Sequence, residues 1–88
     1  MSLRLNAIAI LNHRGEPISY RELTDLLWST HPELKQRQFD LYKTEVKARH
    51  ELRIQLGNVV KKHPETFTAT LSDGLVLVGL AASDESNL

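Results

Sequence analysis

Apolar residues at Leu3, Ala7, Ile10 and Leu11 recur at i, i+4, i+7 and i+8, the spacing of one helical face, with Leu5 and Ile8 beside it. This pattern predicts a first helix that stops before Arg14-Gly15. Glu16-Pro17-Ile18 is extended, because a residue before proline avoids the helical region. Ser19 then stands three residues before Glu22, and Ile18 and Leu23 flank the pair. That is a capping box with a hydrophobic staple, and it predicts a second helix from Tyr20 with Leu23, Leu26 and Leu27 inward. Thr30-His31-Pro32 ends it.

From Glu33 to Lys62 the chain is helix-permissive, but its apolar face does not run straight. Phe39, Tyr42 and Val46 form one stripe; Leu52, Leu56, Val59 and Val60 form another. At about 100° per residue, Val46 lies roughly 120° from Leu52. The expectation is a short helix over 33–42, a break, and a helix over about 45–62 closed by Pro64.

Thr66 to Leu80 reads as a hairpin, its first arm alternating with period two and its second apolar, around Asp73-Gly74, a strong signal for a two-residue hairpin turn. The turn sets Leu71 opposite Val76, Ala69 opposite Val78 and Phe67 opposite Leu80, all on one apolar face. Thr66, Thr68, Thr70 and Ser72 take the other face, and a one-residue slip would scramble both. Glu16-Pro17-Ile18 can add a third short strand at the hairpin edge, where proline is tolerated.

This order of elements is that of an α+β winged helix-turn-helix, with three to four helices and a C-terminal antiparallel wing of two to three strands. Gly15-Glu16-Pro17-Ile18-Ser19-Tyr20-Arg21-Glu22-Leu23 resembles the opening of HARE-HTH modules. These winged helices are related to the delta subunit of bacterial RNA polymerase and to additional-sex-combs-like chromatin proteins. Thr66-Phe67 and Leu75-Val76-Leu77-Val78-Gly79-Leu80 resemble their closing wing. The resemblance implies a nucleic-acid or transcription-linked accessory module. Segment 33–46 is longer than the usual connection in that family.

Composition narrows the chemistry. With 88 residues, 41% hydrophobic and 25% charged, the chain has the makeup of one globular domain. The expected domain covers 1–80, and the small polar residues 81–88 read as a disordered tail. The absence of cysteine removes disulfides and thiolate chemistry. No apolar run approaches the roughly 20 residues of a membrane span, and the N-terminus lacks a signal-peptide core. A cytoplasmic or nucleoid-associated location is the default expectation. His13, His31, His50 and His63 show no metal-ligand spacing. The glycines are dispersed, and no serine sits in a nucleophile motif. The expectation is a non-enzyme without cofactor, metal or small-molecule substrate.

Net charge is zero, but its distribution is uneven. Eight of the eleven lysines and arginines lie between Lys35 and Lys62 against three carboxylates, a local surplus of five. After Lys62 there is no lysine or arginine. If this helix enters the major groove of double-stranded DNA, Lys43, Lys47, Arg49, His50, Arg53, Asn58 and Lys61 are the candidate contacts. The opposing reading is a solvated charged face on a winged helix that binds protein or itself. Its candidate contact patch is Ile54, Leu75 and Leu77.

Overall fold

The computed structural model describes residues 2–81. The elements are α1 (Leu3–Arg14), β1 (Ile18–Ser19), α2 (Tyr20–Thr30), α3 (Pro32–Tyr42), α4 (Glu45–Lys62), β2 (Phe67–Ser72) and β3 (Leu75–Leu80). The three strands form one antiparallel sheet in the order β1-β3-β2. Four helices and this sheet make an α+β layout compatible with a winged helix. Of the expected tail, all but Ala81 lies outside the described residues. The Ala81 amide donates to the Thr66 carbonyl at 2.8 Å, one step beyond the hairpin ladder.

Local chemistry sets the helix starts. Ser19 Oγ accepts the Glu22 amide at 3.1 Å, which caps α2. The reciprocal half of the expected box is absent. Glu22 turns instead to Arg14 at 2.7 Å, joining α2 to the end of α1. Pro32 sits in the first turn of α3, where its missing N–H costs nothing. Lys43 takes a left-handed conformation, φ 70°, and closes α3. Thr44 Oγ1 then accepts the Lys47 amide at 3.3 Å and starts α4.

The core is built from Ala7 and Leu11 of α1, Ile18, Leu23, Leu27 and Trp28, Leu34 of α3, and Ala48, Leu52, Leu56 and Val60 of α4. Phe67 and Val78 close it from the sheet. The two helices have the expected bounds to within a residue, Pro32–Tyr42 and Glu45–Lys62, but the jump in apolar face between Val46 and Leu52 falls inside α4, and the inward residues of α3 differ. Leu34 and Gln38 are its buried residues, while Phe39 and Tyr42 are half-buried. Gln38 is only 1% exposed. Its Nε2 donates to the Ala48 carbonyl at 3.3 Å, and that bond offsets its burial. Val46 does not continue the Phe39–Tyr42 stripe and is 83% exposed. The left-handed Lys43 resets the helix axis between them, so periodicity counted across the break has no meaning.

Asp73 and Gly74 both have positive φ, 51° and 78°, as the primed two-residue turn requires. The hairpin register is the expected one, from Phe67–Leu80 to Ser72–Leu75. β1 begins two residues later and ends one residue later than the expected strand 16–18. Ile18 pairs with Val78 and Ser19 with Leu77. A Cβ on Gly79 would stand 3.1 Å from Pro17 Cγ, so the central strand needs glycine where Pro17 lies across it. Burial corrects one expectation. The apolar face of the hairpin implies burial for Ala69, Leu71 and Val76, yet all three are exposed, Leu71 to 73%. The alternation is right, but the distal half of the hairpin runs past the helices.

Phe67→Ala should cost about 3–5 kcal/mol through the cavity it leaves. Ser19→Ala should cost about 1 kcal/mol through the lost cap. Leu71→Ala should stay within about ±0.5 kcal/mol, as an exposed substitution. Urea melts of the three variants check this ordering. A large loss at Leu71 would mean that the distal hairpin is covered in solution.

Candidate functional site

Helix α4 buries a single stripe, Ala48, Leu52, Leu56 and Val60, spaced four residues apart. At about 100° per residue, His50, Lys61, Ile54, Lys47 and Asn58 fall within roughly 80° on the opposite side. The core therefore forces these five side chains onto one outward face. Lys47, His50, Ile54, Asn58 and Lys61 are all exposed there. Lys43 is exposed in the turn just before the helix.

Arg53 lies at the margin of this face, toward α2. It lines two shallow grooves. One, of about 240 Å³, is formed by Tyr20, His50, Arg53, Ile54, Gly57 and Lys61. The other, of about 410 Å³, lies between α2 and α4 and includes Arg21, Thr24, Val46, His50 and Arg53. His50 and Arg53 thus stand on the ridge between the grooves. Burial pushes the Tyr20 phenol above its usual pKa, so it stays a neutral hydroxyl near pH 7. Among the described residues, Lys43, Lys47, Arg53 and Lys61 have no carboxylate partner.

Arg49 is placed differently from its neighbours. Its guanidinium is ion-paired with Asp25 of α2 and lies 3.6 Å from Glu45. It also stands 5.7 Å from the centroid of the Trp28 ring. Lys35 of α3 approaches the same ring at 5.7 Å, and Phe39 stacks against it at a tilt, 5.9 Å between centroids. Arg49 is a tie between helices, and its charge is already matched. Charge and spacing alone group it with the free cations, since they do not reveal a partner on another helix. Tyr20 and Arg21 were not among the candidates; their position in the first turn of α2 gave no sign that α4 packs beside it.

The residues of the expected contact patch lie on two elements, Ile54 on α4 and Leu75 and Leu77 on β3. Ile54, 46% exposed, lies in the Tyr20 groove, which neither Leu75 nor Leu77 lines. Leu77 is half-buried on the outer sheet face opposite Ser19 and Thr70, and Leu75 is exposed beside the turn. Among the described residues, no three histidine, aspartate or glutamate side chains gather as metal ligands. None of their helices is long and apolar enough to cross a membrane. No protein-family model matches the chain, nor does any curated protein or solved structure.

Arg49→Ala should lower stability by about 1–2 kcal/mol, the combined scale of a surface ion pair and an exposed cation–π contact. Lys47→Ala, on the outward face, should change it by less than about 0.5 kcal/mol. Thermal or urea melts compare the two. Equal, small effects would show that Arg49 is not a tie.

Proposed function

We propose that the chain is a non-catalytic winged-helix module of the HARE-HTH type, transcription-associated, that docks the outward face of α4 on double-stranded DNA. One observation carries this reading. Lys47, His50, Arg53 and Lys61 are exposed along one side of α4, and the three permanent cations among them lack carboxylate partners. A helix that presents unmatched cations opposite its buried stripe suits phosphate contact, with His50 and Asn58 available to base edges. The β1-β3-β2 sheet order and the hairpin after α4 support the winged-helix assignment. The hairpin contributes no grip on phosphate, since Asp73 is its only charged residue.

A second reading has its own observation. Ile54 sits amid the cations, and Val46 and Leu41 are exposed near the start of α4. Apolar side chains at these positions suit a protein partner better than a phosphate backbone.

Binding to mixed-sequence duplex DNA at several salt concentrations separates the two. The DNA reading expects a dissociation constant on the order of 10⁻⁴–10⁻⁶ M, with a log–log salt slope of roughly −3 to −4 for four phosphate contacts at about −0.9 each. Lys47→Ala with Lys61→Ala should flatten that slope by about 2. Arg49→Ala should leave it unchanged, because that charge is matched within the protein. Asp73→Lys at the turn should strengthen binding. No measurable binding at low salt, with Asp73→Lys no better, would remove the DNA reading and leave the protein-partner reading.

A further inference from the structure

The Asp73-Gly74 turn dictates which backbone groups of β2 are used. Its closing bond makes Ser72 and Leu75 a hydrogen-bonded pair, and antiparallel alternation assigns Thr70, Thr68 and Thr66 to bonds in the same direction. The 2.8 Å bond from the Ala81 amide to the Thr66 carbonyl lies on that series. The N–H and C=O groups of Ala69 and Leu71 therefore point to the outer edge. Among the described residues, no strand pairs with that edge. Nor does it carry the features that discourage pairing: residues 66–72 include no charge and no proline, and the register runs without a bulge. Beside it, Ala69 and Leu71 stand exposed on the apolar face of the hairpin.

We propose that a second copy of this chain pairs with the β2 edge, antiparallel, about a two-fold axis through Thr70. Two constraints fix the register. Outward-pointing backbone groups must meet one another, and apolar side chains must share a face. An axis at Thr70 sets Ala69 opposite Leu71 of the partner subunit, twice by symmetry. Each pair exchanges two N–H···O bonds, so four edge bonds form. An axis at Ala69 would need the Phe67 amide, which already donates to the His63 carbonyl at 3.0 Å. An axis at Leu71 would run Ala69 against the turn residue Asp73. In the Thr70 register no like charges oppose each other within the paired segment. The exposed Leu71 and Ala69 of both copies merge into one apolar strip, and two three-stranded sheets become one of six strands. The contact is isologous and closes at two subunits. Two such short edges cover less than the ~1,200 Å² of a standard interface, so the dimer is weak and depends on concentration. The pairing rests on the hairpin alone and is independent of the DNA reading.

The chain has no cysteine, so one substitution reports the register. Thr70 faces its own copy as a non-hydrogen-bonded pair, with Cα atoms about 4.5 Å apart, within disulfide range. Thr70→Cys should oxidise to a covalent dimer. Thr68→Cys should do so far more slowly, since its copy stands four residues along the ladder, roughly 13 Å away at ~3.3 Å per residue. Ala69→Pro removes one outward N–H and no bond to β3. It should keep the circular dichroism of the wild type, stay monomeric in sedimentation at concentrations where the wild type dimerises, and abolish the Thr70→Cys cross-link. If Ala69→Pro fails to fold, Leu71→Lys reports the same loss. A wild type that is monomeric at millimolar concentration, open-ended oligomers, or equal cross-linking of Thr68→Cys and Thr70→Cys would each overturn the pairing.

Discussion

Ile18 and Ser19 tie the sheet to the helices, and each does two jobs at once. Ile18 pairs with Val78 in the central strand and is buried among the helices. Ser19 pairs with Leu77 and also caps α2. The extended conformation that a cap residue adopts is the conformation of a strand, so one backbone geometry serves both. The neighbouring Pro17 lies over Gly79 of the same strand. If this junction were one residue longer, the cap and the strand pairing would fall out of step. The hairpin would then lose its anchor on the helical body. The orientation of α4 depends on the same junction, because Phe67 and Val78 close the core that α4 faces.

What the sequence revealed follows from the range of each signal. The Ser19 cap and the Asp73-Gly74 turn are decided within four residues, and both are as expected. The hairpin register follows from the turn plus the alternation of β2. The bounds of the two helices are as expected, but not for the reason the apolar stripes suggest: Val46 and Leu52 both lie within α4, and the break comes from the left-handed Lys43 and the Thr44 cap. Burial was less legible. Alternation in β2 shows which face of the hairpin is apolar, but not how far the helices reach, so it does not separate the exposed Leu71 and Val76 from the buried Phe67 and Val78. Gln38 was invisible as a buried residue, because only a carbonyl on another helix makes its burial tolerable. Trp28 and Arg49 belong to a cluster drawn from α2, α3 and α4, and no local pattern encodes such a meeting.

The outward face of α4 was legible for a different reason. A helix with a fixed buried stripe has no freedom in where its remaining residues point. Once Leu52, Leu56 and Val60 were assigned inward, Lys47, Ile54, Asn58 and Lys61 had to face out. Net neutrality conceals this face, because part of the balancing negative charge lies elsewhere, in the hairpin turn and the C-terminal segment, while Asp25 of α2 is taken up by Arg49. The field near α4 is set by the charges within a Debye length, about 8 Å at physiological salt, not by the total.

Arg49 and Arg53 show how little separates a structural charge from an available one. They are one helical turn apart on α4, and about 40° of rotation divides them. That rotation brings Arg49 over the Trp28 ring and onto Asp25, while Arg53 stays on the ridge between two grooves. Arginine suits the inner position because its flat guanidinium can stack on an indole and meet a carboxylate together, which a lysine ammonium does less well. The matched arginine holds α4 against α2 and so fixes the direction in which the unmatched one points. The charge of the outward face is thus supplied by one set of residues and aimed by another.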